Sequence, residues 1–248
     1  MTLSNMGRIL AIGDIHGCSF ALNTLLEMID LRAEDTLVTL GDYVARGPDT
    51  KKVIDCLLSL VKRGQLIPLK GNHEVMMLEA KNQECFRSNW LEFWGKETLK
   101  SYNNQAEISL DYIPGTHWDF LENTCLNCWE TEKYIFVHAN LKPHLSLHKQ
   151  SEHSLFWDKF YQPQPHYSGK VMVCGHTSQK DGLPISVGYA VCLDTWAYGE
   201  GWLTCLDMDS GKIFQANQQG EKRTTNIKHY LLSCEELATL YRVTRKFQ

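Results

Sequence analysis

Seven side chains have the types and spacing to do chemistry together: Asp14, His16, Asp42, Asn72, His73, His138 and His176. Each stands at or just past the end of an apolar run, usually beside glycine: GDIHG at 13–17, GDYVARG at 41–47, GNHE at 71–74, His138-Ala139, and GHT at 175–177. Taken singly, an Asp in such a place is more often a turn former or helix cap, and a His beside Gly a satisfied polar residue. Jointly they form a mixed nitrogen and oxygen donor set suited to manganese, iron or zinc, and too rich in imidazole for calcium. Arg46 adds a planar fork that matches phosphoryl oxygens. The chemistry implied is that of metal and phosphate.

The elements that must position these residues alternate. RILAIG (8–13), TLVTL (36–40) and QLIPL (65–69) read as strands, and the segments 20–30, behind a possible cap at Ser19, and 50–64 carry apolar residues at helical spacing. A third helix is expected from Glu74 toward Asn82. This β-α-β-α-β order predicts parallel strands through right-handed crossovers. Their C-terminal ends are where sites assemble in α/β sheets.

Beyond residue 100 the pattern changes. The region 86–120 reads as helical and then loop-like, YIFVH (134–138) as a strand and 140–168 as irregular. VMVCGHT (171–177), AVCLDT (190–195) and GWLTCLDMD (201–209) are closely spaced, which predicts antiparallel, hairpin-like strands. A helix is expected over 229–243. The fold class is α/β: a two-sheet sandwich flanked by helices, with a catalytic domain at 1–217 and a C-terminal extension at 218–248 packed on it.

The 248 residues carry a formal charge of -4, which gives no basic footprint for duplex nucleic acid. No run is long and apolar enough for a membrane span, and no secretory leader is read at the start. Nine scattered cysteines suit reduced thiols and a cytoplasmic setting, and the CLNC pair at 125–128 reads as plain thiols rather than a zinc or redox site. His117, His144, His148, His153, His166 and His229 lack the placement at a strand end with Gly and read as surface or supporting residues. Trp90, Trp94, Tyr102 and Trp118 read as core or lid packing before they read as a substrate groove.

GDIHG, GDYVARG, KGNHE, the His138-Ala139 turn and CGHT, in this order, resemble the phosphoprotein phosphatase family of binuclear metallophosphoesterases, especially its bacterial and phage-like members. The resemblance spans about residues 8–207, with SLFWDKF (154–160) and the strands at 191–207 as softer matches. It implies a calcineurin-like sandwich of two mixed β-sheets and a site with two divalent ions, manganese first and iron or zinc as the others. By motif, Asp14 and His16 would hold one ion, Asp42 would bridge both, and Asn72, His138 and His176 would hold the second. A hydroxide between the ions would attack phosphorus in line. Arg46, with Asn72 and Lys159, would bind the phosphoryl group, and His73 would protonate the leaving oxygen.

The substrate expected from this resemblance is a phosphoprotein or phosphopeptide bearing phosphoserine, phosphothreonine or phosphotyrosine, favoured by the basic Lys70 before GNHE. A diadenosine tetraphosphate hydrolase and a non-catalytic phosphate-binding module are the alternatives. Lys70 and Lys159 stand where members of the family often have Arg, and a further departure weighs more: Ala45 stands where the motif has an Asp that pairs with the GNHE histidine. Such a carboxylate fixes the imidazole tautomer and raises its pKa, so without it His73 should hold a proton poorly. The activity is therefore expected to be weakened. A side chain trimmed to methyl among matching neighbours is the form an inactivating substitution takes, and that origin is favoured over natural drift.

Overall fold

The computed structural model describes residues 7–103 and 108–244. Strand β1 (Ile9–Ile12) leads through helix α1 (Ser19–Ile29) to β2 (Thr36–Thr39), and α2 (Thr50–Lys62) leads on to β3 (Leu66–Pro68). The three strands are parallel, as the alternation predicts. Helix α2 shows why: Val53, Ile54, Leu57 and Leu60 recur on one buried face. Its first turn is closed by Asp49, which accepts the Lys52 N–H at 3.1 Å. Ser19 does not cap α1; it is the first helical residue, and Cys18 holds the cap position without a side-chain bond.

After β3 come helices α3 (Asn72–Asn82), α4 (Glu84–Trp90), α5 (Lys96–Tyr102) and α6 (Gly115–Asp119), with π-helical turns at Leu91–Gly95 and Phe120–Thr124. The region expected to become loop-like is thus largely helical. Trp90 and Trp118 are buried within it. His117 is also buried, not at the surface: it takes Tyr102 Oη at 2.9 Å on one ring nitrogen and Asp55 at 3.1 Å on the other.

The chain then forms β4 (Cys128–Glu130), β5 (Tyr134–Val137), the short helix α7 (Glu152–Phe156), β6 (Val171–Cys174), β7 (Ile185–Ser186) and β8 (Ala190–Cys192). It closes with β9 (Leu203–Asp207), β10 (Lys212–Ala216), β11 (Lys222–Asn226) and helix α8 (Cys234–Thr244). One sheet has the order β11-β10-β9-β1-β2-β3 and the other β4-β5-β6-β8-β7. The expected hairpins between the three predicted strands are not found, and β8 instead takes the short β7 as its antiparallel neighbour. Strands β6 and β8 pair in parallel, while β8 and β9 lie in different sheets. Short spacing had suggested adjacency, but the chain uses the turn between β8 and β9 to change sheets.

Strand residues alternate between two apolar layers, as a period of two requires. Ala11, Val38, Phe136, Val173 and Val191 meet between the sheets. Leu10, Ile12 and Leu37 face α1 and α2 on one outside, and Ile135, Val137 and Met172 meet Leu155 and Phe156 on the other. Strand β11 extends the first sheet, and α8 buries Leu237 and Tyr241 against the second. Burying a side chain such as Phe136, fully removed from water, contributes roughly 1.5–3 kcal/mol. This layering fixes the register that brings the strand ends level.

Candidate metal centre and phosphate site

The parallel pairing of β1 with β2 and of β5 with β6 sets four turns side by side: Gly13-Asp14, Gly41-Asp42, His138-Ala139 and Gly175-His176. The sheets themselves supply the two halves. Two glycines are required by close approach. A Cβ on Gly71 would lie 2.2 Å from Asp42 Oδ1, and one on Gly175 would lie 1.9 Å from Asp14 Oδ1. Five site residues (His16, Asp42, Ala45, Arg46 and His176) have φ between 46° and 69°. Backbone strain therefore gathers where the chain must aim its donors.

Glu74 holds the GDYVARG loop in that shape. Its carboxylate accepts the N–H groups of Asp42 (2.7 Å), Tyr43 (2.7 Å), Val44 (3.1 Å) and Gly71 (2.8 Å). Burial, then Asp42, pushes it up to about 7, against those donors. With four donors and no acceptor around it, Glu74 is satisfied as the anion. Tyr43 Oη completes the anchor by donating to the Leu69 carbonyl at 2.5 Å.

Three imidazoles have one nitrogen fixed by a backbone carbonyl. His16 Nδ1 is 3.0 Å from Val44 O, His138 Nδ1 is 2.7 Å from Leu40 O, and His176 Nε2 is 3.2 Å from Trp157 O. A carbonyl can only accept, so those nitrogens carry the protons and the others present lone pairs. His138 Nε2 and His176 Nδ1 each lie 2.9 Å from Asn72 Oδ1, and His138 Nε2 lies 3.6 Å from Asp42 Oδ1. His16 Nε2 lies 3.4 Å from Asp42 Oδ2. Lone pairs thus face oxygen lone pairs, an arrangement that is unfavourable unless a cation lies among them.

The donor atoms fall into two clusters that share Asp42: one with His16 and His73, the other with His138 and His176, each within 4.8 Å. This donor set fits divalent ions. Asn72, at the first position of α3, adds its amide oxygen to the second cluster. Asp14 lies beside it and accepts the His176 N–H at 3.0 and 3.1 Å through its two oxygens.

The electrostatics agree with a cation site. Burial pushes Asp42 up to about 6. Burial, then Asp194 and Asp42, raises Asp14 well above the usual carboxylate range. Burial drives His138 down to about 4 and His176 to about 2, and lowers His16. Carboxylates resisting ionisation beside neutral imidazoles are what divalent cations relieve.

His73 differs from the other three. Its Nε2 faces the site 4.0 Å from Asp42 Oδ2, and its backbone N–H donates to Asp42 Oδ1 at 3.0 Å. Its Nδ1, however, is buried and has no hydrogen-bond partner among the described residues. Burial, then His16, Arg46, His138 and His176, lowers its pKa well below the ordinary value. Ala45 is itself fully buried, and its N–H is taken by Thr98 Oγ1 at 2.8 Å.

The other sequence candidates separate. Arg46 is exposed and lines the cleft, with its guanidinium carbon 5.5 Å from the Tyr198 ring centre. Lys159 lines the cleft too, its Nζ donating to His176 O at 3.1 Å. Lys70 does not line it: its Nζ turns to the Glu122 carbonyl at 3.5 Å. Trp157 is 38% exposed and lines the cleft rather than the core. His166 is buried on Leu145 O, and His153 pairs with Asp158 at 3.1 Å.

Sequence reasoning missed Asp194 and Tyr198, and set Trp94 down as packing although it lines the cleft. Asp194, past the end of β8, is 1% exposed, lines the cleft and accepts from Ser178 Oγ at 2.5 Å. VCLDT has the form of the other strand ends, but without a neighbouring Gly to mark it. Tyr198 lies edge-on to His16 at 4.8 Å, and Trp94 edge-on to His73 at 6.1 Å. The π-helical turn that carries Trp94 leaves no plain mark in a helical pattern.

The chain belongs to the calcineurin-like phosphoesterase family, which its sequence matches over residues 7–202. It is 44% identical over 142 residues to the symmetrical bis(5'-nucleosyl)-tetraphosphatase of Cellvibrio japonicus (56% of this chain, 47% of that one). To serine/threonine-protein phosphatase 1 of Salmonella typhimurium it is 37% identical over 78 residues (31% and 34%). The chain thus spans less than half the length of these curated relatives. In fold it is similar to the cold-active protein-tyrosine phosphatase of a Shewanella species, with TM-score 0.56 at 18% identity, covering 88% of this chain and 80% of that one. Its buried donor set is a candidate site for divalent metals.

Proposed function

We propose that this chain acts on a dinucleoside polyphosphate, with turnover held down by Ala45. The observation that carries the reading is the cleft lining. In a cleft of about 730 Å³, Arg46, Lys159 and Lys180 meet the aromatic side chains Trp94, Trp157, Tyr161 and Tyr198 beside the metal centre. Several cations suit a run of phosphates, and planar rings suit bases, because every base has a face to stack. Lys70, the sequence feature that favoured a phosphoprotein, is turned away from this cleft. The longer and more identical of the two matches above is also to a tetraphosphatase.

Bound divalent ions would polarise the phosphoryl oxygens and lower the pKa of a bound water. Asp14, His16, Asp42, Asn72, His138 and His176 would hold them. Arg46 would orient the phosphoryl group through its fork, and the N-terminus of α3 would favour its negative charge. His73 Nε2 faces the same space and would give its proton to the leaving oxygen, a role weakened while Nδ1 has no partner among the described residues.

The test is steady-state hydrolysis by the Ala45→Asp variant with manganese, comparing diadenosine tetraphosphate with a phosphoserine peptide. A preference of about tenfold or more in kcat/KM for the dinucleotide is expected. A preference of that size for the peptide would sink this reading in favour of a protein phosphatase. Binding of both without turnover of either would favour the non-catalytic module.

A further inference from the structure

Part of the cleft wall is built by α8, a helix that lies beyond the part of the chain matching the family. Leu240 and Tyr241 from α8 line the same cavity as Asp14, Arg46 and His176. Contacts with Tyr161 and Gln179 help to hold α8 there. The Tyr241 ring meets Tyr161 edge-on at 4.8 Å, and Gln179 Nε2 donates to Tyr241 Oη at 3.2 Å. Gln179 Nε2 also donates to Thr177 O, next in sequence to His176. Leu237, one turn back, is buried in the core of the second sheet and fixes the helix axis. This wall is thereby tied to the segment that carries a candidate metal ligand.

Its chemistry differs from that of the metal centre. Leu240, Tyr241, Tyr161 and Trp157 are apolar or aromatic, while Lys159 and Lys180 stand along the same lining. Such a wall offers a flat ring more contact than it offers a phosphate.

Resting on the proposed function, we infer that α8 is a recognition element of this chain: Leu240 and Tyr241, with Tyr161 and Trp157, form a subsite for one nucleobase, while the lysines accompany the phosphate chain. Tyr241 and Leu240 are then positioning and specificity residues, distant from the reacting phosphorus. They should affect how tightly a base-bearing substrate is held and leave a bare polyphosphate unaffected.

The experiment is an equilibrium titration of the Ala45 chain, whose expected slow turnover preserves the ligand, with manganese present and with three probes: diadenosine tetraphosphate, inorganic tripolyphosphate and a phosphoserine peptide. The parent should bind the dinucleotide at least about tenfold more tightly. Leu240→Ala and Tyr241→Ala should each weaken the dinucleotide by roughly tenfold and change tripolyphosphate by less than about twofold. Tyr241→Phe keeps the ring, removes the bond from Gln179 and should retain dinucleotide affinity. Leu240 is only half-buried, so its variant tests the inference even where Tyr241→Ala fails to fold. An unchanged dinucleotide affinity in both folded variants, or an equal loss for dinucleotide and tripolyphosphate, would overturn the inference while leaving the proposed function in place. A parent that binds a phosphoserine peptide but shows no preference for the dinucleotide over tripolyphosphate would overturn the proposed function, and this subsite with it.

Discussion

His138 and His73 sit on opposite sides of Asp42, both buried, and differ in one respect. The ring nitrogen of His138 that turns from the site is held by the Leu40 carbonyl at 2.7 Å, whereas that of His73 has no partner among the described residues. A fixed Nδ1 leaves His138 one tautomer and a lone pair ready for a cation. An orphaned Nδ1 leaves the His73 tautomer unset and its charged form without support. The imidazole on one side of Asp42 is oriented for a cation, while the one on the other side, which would deliver a proton, is not held at its far nitrogen. Position 45 also has φ 67°, a conformation in which Asp is found more readily than Ala. The backbone there is thus better suited to Asp than to the Ala it carries.

The strongest way to break this comparison is to supply the missing group. Ala45→Asp should raise kcat on an ester with a poor leaving group by ~10²–10³ with little change in KM, measured by phosphate release with manganese. No gain would mean that His73 is not limited by its partner. Next in size, His138→Ala should weaken manganese binding by about 100-fold, read directly by equilibrium dialysis, while Ala45→Asp should leave it within about threefold. Similar effects of both would erase the division between the two sides.

A leaving-group comparison sharpens the point. p-Nitrophenyl phosphate needs little protonation, so its rate should rise at least about tenfold less on Ala45→Asp than that of an alkyl phosphate. The pH dependence of metal binding probes the cation side. Asp42 must be ionised to bind metal, and with its pKa pushed up to about 6 manganese affinity should fall as pH drops through about 6. A flat profile between pH 7 and 5 would contradict the buried bridging role. Smallest of all, Lys70→Ala should change KM for any phosphate ester by no more than about twofold, since its ammonium turns to Glu122 O.

The strand-end residues were legible because their signal is local: an apolar run, then Gly with Asp, His or Asn, repeated. The first three strands and two helices followed from the same periodicity. Long-range facts were not legible. Nothing in the spacing of 190–209 says that β8 and β9 belong to different sheets, and β4, β10 and β11 are too short or too polar to stand out. Asp194 lacks a flanking Gly, and Trp94 is aimed by a π-helical turn that no helical pattern announces. The place of Tyr241 is set by Gln179, 62 positions away.

The metal-binding donors come from both sheets: Asp42 follows β2 in the first, while His138 and His176 follow β5 and β6 in the second. An ion held by all three would be a rivet between two layers that otherwise meet through apolar side chains. Its loss would loosen the seam of the sandwich as well as empty a site. Heat resistance should then rise with free metal as RT ln(1 + [M]/Kd), and a chelator should act on this chain as a mild denaturant.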